Sequence, residues 1–278
     1  MRAAIIIILY LVLVTGRAGA QGNPPADLLV QAQQYRAAGN CNKAIPLLEA
    51  SLQQNPDFTP ALLLLAQCYN AQQQYQKTLE RLQPYHTVLQ VDMALLLERA
   101  KAFAALGNVP DAQYDLERLL ELQPAHAPAL TLRADLLRQQ LQNSAEALDW
   151  YKKAIAAAPD NGYNYAWAGW CCNDLGRFAE AVPFLEQALQ KAPALKAFVL
   201  AEWGFALYGQ NNYAAAKEHL QRALAADAQH AAAYYYLGLC HVREQNKQAA
   251  VKQYNQLVLL KSPYAAPLLQ QIRALQQP

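Results

Sequence analysis

A repeat of about 34 residues runs through nearly the whole chain and constrains its fold more than any other feature. A second series of small residues, from Ala44 to Ala250, keeps the same register, and large residues from Leu48 to Tyr254 follow it four places later. Self-similarity at this period is typical of a solenoid, whose stacked modules form an extended binding surface. The first series of small residues, with steps of 34, 34, 34, 35, 35 and 34 residues, is Ala32, Ala66, Ala100, Ala134, Gly169, Gly204 and Gly238.

Each repeat carries two blocks of apolar residues at three- and four-residue intervals, which predict two amphipathic helices. In the fifth repeat these helices are expected at about residues 163–175 and 177–191. Breaks such as Gly39-Asn40 separate the two blocks, because glycine readily adopts the left-handed geometry that ends a helix. Prolines such as Pro56 and Pro159 then end the second helix. The sequence therefore predicts an all-α protein.

This pattern resembles the tetratricopeptide repeat (TPR). The resemblance rests on the small residue of the first helix, an aromatic residue three places later (Tyr35, Tyr69, Phe103), Ala in the second helix and Pro at its end. It implies an all-α TPR solenoid, a right-handed superhelix of about seven helix-turn-helix repeats in which the first helices line a concave groove. The expected repeats are residues 25–58, 59–92, 93–126, 127–161, 162–196, 197–230 and 231–262. The aromatic slot departs from the family pattern in the last four repeats, at Leu137, Cys172, Leu207 and His241.

The first twenty residues read as a secretory signal peptide. Arg2 precedes an apolar run at residues 3–14, and Ala-Gly-Ala ends the segment at Ala20. Cleavage after Ala20 would leave a short tail, residues 21–24, before the repeats. The run is shorter than the roughly 20 residues that span a bilayer, although Arg17 near the cleavage point leaves an uncleaved anchor as an alternative. We therefore expect a periplasmic or secreted protein with no stable membrane insertion after cleavage.

The charge balance and the absence of known catalytic motifs exclude several classes of function. The protein has 23 basic and 21 acidic residues, and the excess of two lies within the expected signal peptide, at Arg2 and Arg17. A neutral protein without a basic run is unsuited to binding nucleic acid or an anionic membrane. The sequence contains no phosphate-binding Gly-rich loop, His-Glu-x-x-His or Gly-x-Ser-x-Gly. We expect no enzyme activity, and hence no catalytic residue, cofactor or metal.

The five cysteines do not form a disulfide or zinc-binding pattern. Cys68, Cys171 and Cys240 occupy the same slot, two residues after the small residue of the first helix, which predicts buried thiols that pack as small apolar side chains. Cys41 and Cys68 lie in neighbouring repeats, so a disulfide between them is an alternative that the sequence leaves undecided.

The family resemblance also indicates which residues face the groove, at three before, one after and four or five after the small residue. In the first four repeats this stripe is mixed and mostly polar, and includes Lys101, Asp135 and Arg138. In the last three repeats the stripe, which includes Ala166 and Ala201, becomes largely aromatic and apolar. Tyr163 and Phe198, one helical turn further back, extend this aromatic zone. The predicted partner-binding residues are Tyr163, Trp170, Asn173, Phe198, Phe205, Tyr208, Tyr235, Leu239 and Arg243.

Aromatic side chains anchor many binding sites, which favours a partner segment bound on this stripe. Asn173 and Arg243 at its edge are expected to hold a backbone amide and a carboxylate of that segment. Three alternatives stay open: the rings only pack first helix against first helix, they bind a cell-wall glycan, or they form a homodimer interface.

The fold is expected to end with a capping helix. Leu268, Leu269, Ile272 and Leu275 form one face of residues 264–276, with polar residues opposite, as a terminal solenoid element requires. The expected domain is residues 263–278. Together these features predict a non-enzymatic interaction scaffold of the cell envelope that binds a protein or peptide in the groove of its C-terminal repeats.

Overall fold

The computed structural model describes residues 23–85 and 92–275. Within these ranges the protein forms fifteen α-helices and two short 3-10 helices, with no strand. The all-α prediction is therefore confirmed. The expected signal peptide and its cleavage point lie outside the described residues.

The described residues divide into two compact segments, one ending at Gln74 and the other beginning at Tyr75. The described part of the first holds helices α1 (Pro25–Ala37), α2 (Cys41–Gln54) and α3 (Thr59–Ala71). Helix α2 packs against both α1 and α3. Ser51 extends this packing beyond the helices, because its hydroxyl donates to the carbonyl of Pro25 at 2.9 Å.

The second segment begins with α4 (Tyr75–Leu82) and the 3-10 helix Gln83–Tyr85. Each helix that begins a predicted repeat then packs on the helix that follows it. The helices are α5 (Met93–Ala105), α6 (Val109–Leu122), α7 (Ala127–Gln139), α8 (Ser144–Ala157), α9 (Gly162–Asp174), α10 (Phe178–Lys191), α11 (Lys196–Gly209), α12 (Tyr213–Ala226), α13 (Ala231–Arg243), α14 (Lys247–Leu259) and α15 (Ala265–Ala274). The second 3-10 helix, Pro193–Leu195, leads into α11. We call α1, α3, α5, α7, α9, α11 and α13 the first helices.

The small residues of the first helices mark points of close approach. A Cβ on Gly169 would lie 2.6 Å from Cγ of Leu185, and one on Gly204 would lie 2.6 Å from Cγ of Leu220. Both leucines belong to the series of large residues in the second helices. In these two repeats the small residue therefore leaves room for the large residue of its own helix pair.

The breaks between paired helices are left-handed turns. Gly39, Gly107 and Gly176 have φ of 72°, 75° and 70°, as the sequence predicts. The equivalent turns of other repeats place Gln142 at φ 49° and Gln245 at φ 59°, which the sequence did not predict. The helix that follows such a turn commonly begins with an asparagine cap, whose side-chain oxygen accepts from a backbone N–H of the first turn.

Helix α15 lies against α13 and α14. Its buried residues are Leu268 and Ile272, whereas Gln270, Gln271 and Arg273 are exposed or half-buried. Leu268 covers Gly238 of α13, just as a second-helix leucine covers the small residue in earlier repeats. No described helix is both long enough and apolar enough to cross a membrane.

All five cysteines are free and buried, which confirms the prediction for Cys68, Cys171 and Cys240. The thiols of Cys41 and Cys68 are hydrogen-bonded neighbours. Burial, followed by this hydrogen bond, raises the pKa of Cys68 to about 12. The two residues are therefore free cysteines in contact, with no disulfide between them.

Candidate functional site on the first helices

Successive first helices bring aromatic side chains from three repeats into one layer. Helix α11 packs against α9 and α13. We call this layer the aromatic face. Its members are Tyr163, Trp167 and Trp170 on α9, Phe198, Phe205 and Tyr208 on α11, and Tyr235, Tyr236 and Leu239 on α13, with Arg243 at the C-terminal end of α13.

Trp167 lies at the centre of the α9 part of the aromatic face. Its ring centroid lies 4.7 Å from that of Phe198 on the next first helix, and 5.9 and 6.1 Å from those of Tyr163 and Trp170. The guanidinium of Arg138, on α7, covers the Trp167 ring at 3.6 Å from its centroid. This cation–π contact takes up one ring face and joins α7 to α9.

The hydroxyl of Tyr163 is engaged within the protein. It donates to Asp135 Oδ1 at 3.0 Å, and the same oxygen accepts from Tyr151 on α8. Arg138 donates to the Tyr151 hydroxyl at 3.0 Å and forms an ion pair with Asp135. Burial raises the pKa of Asp135, whereas the bonds from Tyr151, Arg138 and Tyr163 lower it. Asp135 and Arg138 thus join three helices and leave Tyr163 only its ring for binding.

The structure corrects the expectation for Asn173. The side chain is buried, with 4% of its surface exposed, and does not lie at an open edge. Its Nδ2 donates to the backbone carbonyl of Glu202 at 2.9 Å and to Glu202 Oε2 at 3.0 Å. The Asn173 amide, which we expected to bind a partner, therefore donates to Glu202 on the neighbouring first helix. The groove-stripe residues Ala166 and Ala201 are fully buried too.

Glu202 is a buried carboxyl at the junction of three first helices. It accepts from Asn173 on α9 and from the Tyr236 hydroxyl on α13. Burial raises its pKa to about 7, because desolvation outweighs both hydrogen bonds. The nearby carboxylate of Asp174 raises the pKa further.

The C-terminal part of the aromatic face is a set of stacked rings. Phe205 stacks on Tyr236 with centroids 4.4 Å apart, and Tyr235 stacks on Tyr264 at 5.0 Å. Arg243 Nε donates to the Tyr208 hydroxyl at 3.0 Å. Arg243 is exposed at the edge where the sequence placed it, and its Nη groups have no hydrogen bond or salt bridge among the described residues.

The rings of the aromatic face therefore pack between helices and also keep accessible surface. Of the nine residues predicted to bind a partner, Asn173 alone is buried, and the other eight are half-buried or exposed. The sequence reasoning missed Trp167, Glu202 and Tyr236. All three occupy the slot two residues before the small residue of their repeat. The repeat register was the sequence signal that could have revealed this slot. Among the described residues, no group of three or more His, Cys, Asp or Glu side chains is placed to hold a metal ion.

Comparison with known proteins finds matches along most of the sequence. Family models described as tetratricopeptide repeat match residues 26–86, 97–162, 163–194 and 202–266. The TPR repeat-containing protein PA4667 of Pseudomonas aeruginosa is 26% identical over 179 residues, which are 63% of this chain and 30% of that protein. The match thus spans less than a third of that relative's length.

Solved structures share the fold. A tetratricopeptide repeat protein from Parabacteroides merdae has a TM-score of 0.61 at 17% identity, over 92% of this chain and 100% of its own. YrrB, described as a TPR protein with an unusual peptide-binding site, has a TM-score of 0.56 at 18% identity, over 73% of this chain and 98% of its own. MamA from Desulfovibrio magneticus RS-1 has a TM-score of 0.56 at 19% identity, over 61% of this chain and 94% of its own.

Proposed function

Because the protein belongs to the tetratricopeptide repeat family, we propose that it is a non-enzymatic protein–protein interaction scaffold of the cell envelope that binds a partner segment on the aromatic face. The observation that carries this proposal is the accessible surface of Trp170, Tyr208 and Tyr235 beside the exposed Arg243. Half-buried aromatic rings next to an arginine are the side chains that dominate binding energy in protein interfaces.

A peptide suits this face better than a glycan does. Stacking on a sugar needs a free ring face, but Phe205 and Tyr236 cover one another, as do Tyr235 and Tyr264. Arg138 covers a face of Trp167. The side chains and carbonyls of a peptide can instead contact the edges and polar tips of such rings. The peptide-binding site in the description of YrrB supports the same choice.

The envelope location rests on the expected signal peptide. Expressed with its natural N-terminus, the protein should appear in the periplasm or the medium, with Gln21 as its first residue by N-terminal sequencing. A protein that keeps Arg17 and sediments with membranes would overturn the cleavage and support the anchored alternative.

Pull-down from solubilised envelope tests the binding. The bait is the protein from residue 21 onward, beside a Trp170→Ala/Tyr235→Ala/Arg243→Gln variant. The matched control is Tyr114→Ala/Leu259→Ala, which removes side chains that are 67% and 74% exposed on other helices. Circular dichroism must show equal helicity for all three.

A protein retained by the parent and the control but lost by the aromatic-face variant supports the proposal. Identical capture by all three would show that the rings serve packing alone. Light scattering on the same samples tests the homodimer alternative. A dimer that dissociates only in the aromatic-face variant would make this face a homodimer interface.

A further inference from the structure

We propose that the aromatic face binds a proline-rich segment in the polyproline II conformation, with a proline at every third position. This inference rests on the proposed function of the face and specifies its ligand. It starts from Trp170, Phe205 and Leu239, which occupy the same slot on α9, α11 and α13, one residue after the small residue. All three keep accessible surface. We call these three residues the apolar row.

The spacing of the apolar row selects the ligand conformation. Packed helices lie about 8–10 Å apart, so equivalent side chains on successive first helices repeat at about that distance. A polyproline II helix has three residues per turn and rises about 3.1 Å per residue, so every third side chain faces the same way about 9.3 Å further on. A β-strand repeats a face about every 6.7 Å and loses register by the second helix. Three consecutive anchors therefore fit a polyproline II segment.

The unpaired hydrogen-bond donors of the aromatic face favour a proline-rich ligand. Among the described residues, neither the Trp170 indole N–H nor the Tyr235 hydroxyl has a protein partner, and both side chains keep accessible surface. The Tyr208 hydroxyl accepts from Arg243, so its own hydrogen is available to donate. The face thus offers donors. A polyproline II segment has carbonyls without internal partners and, at proline, no N–H that would need an acceptor.

The two nearby carboxyl groups are already hydrogen-bonded within the protein. Asp135 accepts from Tyr151 and Tyr163 and pairs with Arg138, and Glu202 is buried beneath Asn173 and Tyr236. An ordinary extended peptide would bring one N–H per residue to a face whose carboxylates are committed. An α-helical ligand would satisfy its own backbone and leave the free donors of the face unused.

Charge places an acidic group beside the last anchor. Arg243 follows Leu239 by one helical turn. Its Nε donates to the Tyr208 hydroxyl, and its Nη groups have no partner among the described residues. A guanidinium fixed in this way is arranged for a carboxylate, which it binds through two parallel hydrogen bonds. The ligand is therefore a proline-rich segment with an acidic residue, or the terminal carboxylate of a polypeptide, next to the proline on Leu239.

Fluorescence anisotropy with a defined probe tests this inference. The probe is a fluorescein-labelled peptide of nine prolines followed by one glutamate, and its control replaces the prolines with alternating glycine and serine. We expect the proline probe to bind and the control peptide to fail. Trp170→Phe keeps a ring but removes the N–H, and should weaken binding about 3- to 10-fold, as should Arg243→Gln. Tyr114→Ala should leave it unchanged.

Selection from a random dodecapeptide phage library separates this inference from the proposed function. Enriched peptides with prolines three apart that bind Trp170→Phe more weakly than the parent support it. Enriched peptides without proline that depend on Trp170 would overturn the polyproline II ligand and leave the peptide-binding face intact. Binders that are indifferent to Trp170, Tyr235 and Arg243 would overturn both. A proline probe that binds every variant equally would also overturn the inference.

Discussion

Replacement of Glu202 by glutamine should make the protein more stable at neutral pH. The carboxyl is buried among Asn173 and Tyr236, and burial raises its pKa from an ordinary 4.5 to about 7. Glutamine has nearly the same shape and no charge to desolvate. It also carries an N–H that can donate to Asn173 Oδ1, a buried oxygen that has no hydrogen-bond partner in the native protein.

Proton linkage explains why this carboxyl destabilises the folded protein at neutral pH. The folded state binds the Glu202 proton more tightly than the unfolded state does, so the stability from this group is complete below pH 4.5 and is lost as pH rises through about 7. At about 1.36 kcal/mol for each pH unit between the two pKa values, the free energy of unfolding falls by about 3 kcal/mol across this window. Glu202→Gln should abolish that fall.

Urea denaturation followed by circular dichroism at pH 5 and pH 8 measures the effect. The variant should gain about 2–3 kcal/mol over the parent at pH 8 and much less at pH 5. Glu218→Gln, which alters an exposed carboxylate on α12, is the matched control and should follow the parent. Parallel pH curves for the parent and Glu202→Gln would refute the reasoning, because they would show that Glu202 is solvated in the folded state.

Three further predictions concern packing, backbone and thiols. Gly204→Ala should cost about 1–3 kcal/mol in the free energy of unfolding, since its Cβ would strike Leu220, and an unchanged urea midpoint would contradict the close packing. Gln245→Gly should add about 0.5–1 kcal/mol by relieving a side chain held at φ 59°, whereas a loss of stability would show that the glutamine is not strained. Iodoacetamide should label none of the five buried cysteines in the native protein and all five after denaturation, as mass spectrometry counts them, and rapid native labelling would contradict their burial.

The helices, and the partner of each helix within its repeat, can be predicted from the sequence. The small residue at Gly169 or Gly204 and the leucine sixteen places later belong to one helix pair, so their contact follows from a short stretch of sequence with a fixed period. The same register identified Cys68, Cys171 and Cys240 as buried. Local periodicity suffices because each pair packs through residues that are close in sequence.

The polar contacts between repeats become visible only in the folded protein. Asn173 and Glu202 are 29 residues apart, and nothing within either repeat shows that one amide will turn inward to the other's carboxyl. Trp167 likewise escaped notice, because its importance comes from Arg138 above it and Phe198 beside it. Such contacts depend on side-chain rotamers at the junction of neighbouring helices. A repeat period predicts the position of a residue on its helix. The rotamer of its side chain, and the groups that remain free to bind, depend on the neighbours that pack against it.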